Sequence, residues 1–361
     1  GLEYLHHHTE PATRSAVDVF KKAIEQDENF SLALAAASSA LISLSESGWD
    51  EDDSVLAEAK DYADKAIRSN NVLSSGYAAL ARIFLIRKEY KSAFDQVQTG
   101  LNYSPGYGEL HLEKAKMLMM WGRQKEAMEA FTTAYELDPR DIRVLQASGY
   151  AYQISGFAHQ ASIYHQSALY FVADSTSYIV GPLADALMID PNFSMAESKR
   201  LASAFERRLL VDPKSYHDMY RYARMFQVIG NRSAEEVMLD RAEKLLRAEL
   251  QAHPKNSDVL VYLGLTLTRM GKFAEATAFA RKADDLDNDN PLIKYKIAQM
   301  LSLQMYSAQK KQTDEKKKAE AIDALRQAVA LNFDFEQLAN ADFYNMYQLP
   351  EYHAAIKIAT Q

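Results

Sequence analysis

Residues 145–168 read LQASGYAYQISGFAHQASIYHQSA. Leu145, Ser148-Gly149 and Tyr152 lie at helical spacing, Gly156 marks a turn, and Ala161 and Ala168 follow on a second helical stretch. The pattern echoes along the chain with a period of 34 residues. Ala93, Ala127 and Ala161 are in phase, as are Ala66, Gly100, Ala134 and Ala168, and as are Asn71, Pro105 and Pro139. A further copy reads Leu260, Leu263-Gly264, Leu267, Gly271, Ala276 and Ala283. A fixed period of this length predicts stacked helix-turn-helix units. The small residues predict where the two helices of each unit cross, because close approach needs a position with no bulky side chain.

The order of residue types within the period resembles that of the tetratricopeptide repeat. The resemblance implies an all-α, right-handed superhelical solenoid of about seven to eight helix pairs. It runs along most of the chain except residues 172–200. The two ends are similar to a narrower bacterial group, whose repeats follow winged-helix regulators, nucleotide cyclases or serine/threonine kinases. At the start this rests on Tyr4-Leu5, Thr9-Glu10-Pro11, Ala23-Ile24-Glu25, Asn29-Phe30 and Leu32-Ala33. At the end it rests on Ala324-Leu325, Ala328-Val329, Leu338, Ala341-Asp342 and Leu349-Pro350-Glu351-Tyr352. The arginines usual in that group are missing from Tyr347 to Glu351. In that group the repeats tune an effector domain, so an effector or a leader segment upstream of Gly1 is an expectation.

The composition suits a folded chain, with 48% apolar and 25% charged residues among 361. The net charge of −8 argues against a general nucleic-acid or anionic-membrane surface. No cysteine is present, which removes disulfides, thiolate metal sites and a cysteine nucleophile, and leaves a cytoplasmic or periplasmic location open. No apolar run reaches a membrane span, the longest candidate, Leu32 to Leu44, being interrupted by serines.

The organisation expected is a first array over 1–171, an irregular break over 172–200 and a second array with a capping segment over 201–361. The break is read from Gly181-Pro182, which a helix interior does not tolerate. Ala308 to Lys318, rich in charges of both signs, predicts a solvated helical extension. The aromatic end, with Phe335, Phe343, Tyr344, Tyr347 and Tyr352, is expected to shield the open end of the array. The acidic run Asp50-Glu51-Asp52-Asp53 suits a helix N-terminus and lacks the alternation of a calcium loop.

No phosphate loop, carboxylate pair or nucleophile elbow is present, and no cofactor, metal or catalytic residue is expected. His6-His7-His8 reads as a surface stretch, and His111 and His165 as packed residues. The resemblance implies that the first helix of each repeat lines a concave groove. Its inward positions here are Arg82, Leu85 and Ile86, then Glu109, Leu112, Lys116, Met119 and Met120, then Arg143, Gln146, Tyr150, Gln153 and Ile154. Arg82, Lys116 and Arg143 are expected to form a ladder of cations beside Met119, Met120 and Tyr150. Such a groove suits an acidic peptide or amphipathic helix, with Met adapting to its shape. The Lys and Asn clamp of chaperone-binding relatives is absent, its positions holding Ala35 and Ser39, Ala78 and Arg82, and Leu112 and Lys116. The function expected is a non-catalytic binding scaffold, regulatory or sensory. The rivals are a free-standing envelope adaptor, an enzyme with a site near 176–193, and a sensor of a small ligand or peptide.

Overall fold

In the computed structural model, residues 10–46, 49–50, 52–171, 180–190, 194–307, 312–331 and 340–357 are described. Among the described residues, the first helix, α1 (Glu10–Gln26), is followed by eight helix pairs. They are α2 (Ser31–Glu46) with α3 (Asp53–Ser69), α4 (Ser74–Ile86) with α5 (Tyr90–Tyr103), α6 (Gly108–Met120) with α7 (Gln124–Leu137), and α8 (Ile142–Ile154) with α9 (Ala158–Phe171). Then come α10 (Val180–Ile189) with α11 (Met195–Val211), α12 (Tyr216–Val228) with α13 (Arg232–Ala252), α14 (Ser257–Arg269) with α15 (Phe273–Leu286), and α16 (Pro291–Met305) with α17 (Glu315–Ala330). A 3₁₀ turn, Ala341–Met346, and a short helix α18 (Pro350–Ala355) close the chain. The architecture is all-α, apart from a two-residue ribbon between α16 and α17.

The small residues lie at the predicted crossings. Ala93, Ala127 and Ala161 are wholly buried, and so are Ala66, Ala134 and Ala168. At Gly100 an added β-carbon would sit 2.5 Å from the Leu110 side chain. At Gly149 it would sit 2.5 Å from the His165 ring, so this crossing closes only over a glycine. Gly122, Gly156, Gly230 and Gly271 end first helices with positive φ, the left-handed region glycine enters at least cost. Lys88 holds the equivalent turn with φ 64, the one non-glycine in this conformation among the described residues.

Two expectations are corrected. Gly181 and Pro182 do not break a helix. They stand in the first turn of α10, where the missing proline N–H has no intrahelical partner to lose. The segment therefore carries a helix pair, α10 and α11, on either side of residues outside the description. Of the helical extension expected over Ala308–Lys318, residues 308–311 lie outside the described residues and only Glu315–Lys318 are helical. Tyr306–Ser307 pairs antiparallel with Gln312–Thr313, and α17 starts only after Asp314, whose carboxylate accepts from the Lys316 and Lys317 amides. Of the acidic run, Asp52 caps α3 by accepting from the Ser54 amide, and Asp50 takes an ion pair from Arg14.

The described chain forms two compact units. One comprises Gly1–Met119 and Arg123–Val144, the other Met120–Gly122 and Leu145–Ile358. In the first, one apolar cluster joins α1 to α4 through Phe20, Leu41, Ala59 and Ile83, and a second joins α4, α5 and α6 through Tyr77, Val97 and Leu110. In the second, α10 buries Leu183, Leu187 and Met188 against Leu201, Phe205, Met219 and Tyr222. Leu239, Leu246, Leu263 and Leu267 continue the core towards α16. Replacing Ala127 by Leu should overpack the α6–α7 crossing and cost about 1–3 kcal/mol. A thermal melt equal to that of the wild type would show that Ala127 is not at a close crossing.

Candidate functional site

The inner face of the first unit is built from α2, α4 and α6 and the first turn of α8. Arg82, from the middle of α4, is 2% exposed and pairs with Glu46 at the end of α2. Its Nη1 lies 3.5 Å from Glu109 Oε1, and Arg143 Nη1 lies 2.6 Å from the same oxygen. Asp141 takes the other side of Arg143 at 2.8 Å. Lys116 is felt electrostatically by both Glu46 and Glu113. Burial works against the Glu46 and Glu109 carboxylates, but Arg82 and Arg143, joined at Glu46 by Lys116, outweigh it and hold both below the usual carboxylate range. Glu113 is 1% exposed, and there burial wins over Lys116 and Arg82 and pushes its carboxyl up.

The three cations expected as a ladder therefore share one network, but interleaved with carboxylates. Arg82 and Arg143 are neutralised within the chain, so they do not wait for an acidic partner. Reversing Arg143 would place a carboxylate beside Glu109 and Asp141, a like-charge cluster that opposes folding. Of the other expected residues, Leu112, Met119, Gln146 and Gln153 are buried, while Glu109, Lys116, Met120, Arg143 and Tyr150 keep part of their surface. Met120, Gln146, Tyr150 and Gln153 belong to the second unit.

The second unit's inner face holds the chain's own end. Asp342 lies under the first helices of three pairs. Its carboxylate receives Arg269 at 2.5 Å, Arg224 at 3.1 Å and the Tyr220 hydroxyl at 2.8 Å. Its carbonyl accepts from Ser302 Oγ at 2.8 Å. Phe343, Met346, Tyr347 and Tyr352 are buried, with Phe343 against Tyr295 and Tyr347 against Tyr352. Gln153 faces Tyr347. Gln348 lies against Gly156 and Lys357 against Gly122, so close that a β-carbon on either glycine would collide. The segment expected to cap the last pair does pack on α17 through α18, and it also runs back across α14, α12 and α10. Sequence reasoning missed this. The one signal available was an aspartate followed directly by an aromatic, Asp342-Phe343, in a chain with unassigned arginines at 224 and 269.

The histidines do not form a catalytic set among the described residues. His159 Nδ1 and Ser162 Oγ both reach Asp190 Oδ2, at 3.0 and 3.1 Å, so the carboxylate joins them and the serine gains no base. His165 is buried without a hydrogen-bond partner, edge-on to Tyr150, and burial lowers its pKa to about 3. His111 bonds the Pro105 carbonyl at 2.7 Å. His6-His7-His8 lies outside the described residues. No three His, Asp or Glu side chains among the described residues converge as a metal requires, and no helix is long and apolar enough to cross a membrane.

The tetratricopeptide-repeat family model matches residues 108–141 and 258–290, so the chain carries tetratricopeptide repeats. Human protein O-mannosyl-transferase TMTC1 is 24% identical over 197 residues, which cover 54% of this chain and 21% of that protein. The chain thus spans about a fifth of this relative's length, 21%. Among solved structures, the human IFIT1 dimer with PPP-AAAA superposes with a TM-score of 0.50 at 15% identity, covering 76% of this chain and 68% of that one. The APC/C hetero-tetramer Cut9–Hcn1 superposes with 0.52 at 15% identity, covering 73% and 47%. These likenesses are of fold.

Buried groups contribute to the acid limit of the second unit, among them His165, His217, lowered to about 4 by burial with Lys296 and Arg221, and Asp342. His165 is neutral when folded, with a pKa of about 3 against 6.5 when unfolded, so the unfolded state binds more protons below pH 6.5 and stability falls with pH down to about 3. Asp342 is held at about 2 because Arg224 and Arg269 outweigh its burial, so its contribution is complete above its unfolded value and is lost as pH falls from about 4 towards 2. His165→Phe should remove a slope of about 1.4 kcal/mol per pH unit below pH 6.5. Asp342→Asn should instead cost about 3–5 kcal/mol at neutral pH, by stranding buried arginines. Urea melts of the second unit's transition from pH 7 to 4 measure both. Parallel pH profiles for wild type and His165→Phe would contradict the first, and an unchanged midpoint for Asp342→Asn the second.

Proposed function

We propose that the chain is a non-catalytic protein-interaction scaffold, acting as a regulatory or sensory module that holds a segment of a partner protein against the first helices of its repeats. The observation that carries this reading is the seated Asn340–Lys357 segment. The inner face of the second unit receives a short peptide-like stretch through a carboxylate clamp and aromatic contacts, which is the chemistry of peptide recognition. In the first unit Lys116 and Arg143 remain proposed contacts, with Arg82, Glu109, Leu112 and Met119 among the same expected groove residues; in the second unit Met120 and Tyr150 remain proposed contacts, with Gln146 and Gln153. The similarity of both chain ends to the repeats of bacterial signalling proteins supports a regulatory role.

The enzyme named in the TMTC1 match is not carried over, since the match reaches only 21% of that protein. A site near 176–193 is disfavoured by the filled apolar face of α10. The solved IFIT1 structure holds PPP-AAAA, but a net charge of −8 weighs against an RNA ligand here.

Panning a random-peptide phage library on the purified full chain tests the reading. A recurring sequence should emerge whose synthetic peptide binds with a Kd on the order of micromolar, about −8 kcal/mol. Recovery of nothing beyond what the bare support retains would remove the scaffold reading.

A further inference from the structure

The Asn340–Lys357 segment uses the later turns of α12, α14 and α16, through Arg224, Arg269 and Ser302. The earlier turns of the same helices carry a second charged row. Arg221 and Tyr262 each stand nine residues before a turn glycine, Gly230 and Gly271, and Lys296 follows Tyr262 by one period of 34. These are equivalent positions on successive first helices, so the three side chains line up as cation, ring, cation. Lys296 Nζ lies 4.8 Å from the centre of the Tyr262 ring and 5.1 Å from that of Tyr295. Arg221 is within electrostatic reach of Tyr262 and of Tyr150. Tyr216 and His217 extend the wall, the His217 ring centre lying 4.3 Å from those of both Tyr216 and Tyr262.

Among the described residues, carboxylates match the charges of this row only in part. Lys296 is 8% exposed and has no ion pair among the described residues. The carboxylate next to Arg221 is Asp185, at 3.8 Å, and Asp185 also serves Arg224 at 3.3 Å. Five cations, Arg208, Arg221, Arg224, Arg269 and Lys296, thus face three carboxylates, Asp185, Asp218 and Asp342, with Asp218 taken by Arg208 at 2.9 Å and within electrostatic reach of Arg221, in a protein whose net charge is −8. A nearly buried ammonium against π faces, reached electrostatically by an Asp185 that also serves Arg221 and Arg224, is incompletely compensated.

We propose that the Arg221–Tyr262–Lys296 row is the docking strip for an acidic segment of a partner protein, its carboxylates meeting Arg221 and Lys296 on either side of the Tyr262 ring. The neighbouring clamp on Asp342 shows, within the same helices, the geometry by which this face accepts a carboxylate. The inference rests on the scaffold reading and narrows it to one strip and one partner chemistry.

The test uses the full chain and fluorescein-labelled hexaglutamate, with hexaglutamine as the neutral probe, followed by fluorescence anisotropy in about 50 mM salt. Hexaglutamate should bind at least about tenfold more tightly than hexaglutamine, and the Arg221→Gln, Lys296→Gln double variant should lose that difference. Arg221→Gln alone, at a partly exposed side chain, should lose part of it and guards against misfolding of the double variant. A control with Lys125→Gln and Lys316→Gln, two exposed lysines elsewhere, should bind as the wild type does. Equal binding of the two probes to wild type, or undiminished binding of hexaglutamate to a folded Arg221→Gln, Lys296→Gln chain, would overturn the proposal. A phage-selected peptide that is not acidic and ignores both substitutions would leave the scaffold reading standing and remove this one.

Discussion

Helices of one repeat can cross closely only where neither presents a bulky side chain, and the rest of this molecule depends on that constraint. Ala66, Ala93, Ala127, Ala134, Ala161 and Ala168 are buried to the last ångström, and Gly100 and Gly149 stand where even a methyl group would collide. Once each pair is closed at these points, the side chains of each first helix divide between the crossing, the neighbouring repeats and the inner face. The inner faces then inherit a register of one period, which is why Glu109 meets Arg143 and why Arg221, Tyr262 and Lys296 fall into a row.

The two units use that register differently. In the first, cations and carboxylates of successive repeats alternate, so Glu46, Arg82, Glu109, Arg143 and Asp141 satisfy one another. Buried charges are costly unless paired, so each member of this network depends on its neighbours. In the second, the arginines of α12 and α14 outnumber the carboxylates of their own helices. The chain supplies Asp342 from its far end to meet two of them. The partial filling leaves one strip of that face closed by the chain itself and another whose cations are only partly matched by carboxylates.

The tail also changes what the repeat surface can offer. Phe343, Tyr347 and Tyr352 contribute apolar area that the first helices would otherwise leave uncovered, so the final segment is part of the core as well as an occupant of the inner face. Dispersion and burial hold it along its length, while the Asp342 clamp sets its register.

Local and periodic features were determined by the sequence alone: the helix pairs, the buried alanines, the turn glycines and the all-α class. Each depends on residues within one period, where spacing and volume decide the outcome. The pairing of Arg143 with Glu109 was within reach of the same logic, since the two are one period apart at equivalent positions. Its meaning changed because a cation read as free was already matched. Gly181-Pro182 was misread because a proline forbidden inside a helix is welcome in its first turn, and only the position of α10 distinguishes the two. The course of the last residues was decided by tertiary structure. Asp342 meets Tyr220 across 122 positions of chain, a contact with no periodic trace, and it brings a carboxylate to Arg269 and a second one to Arg224 beside Asp185.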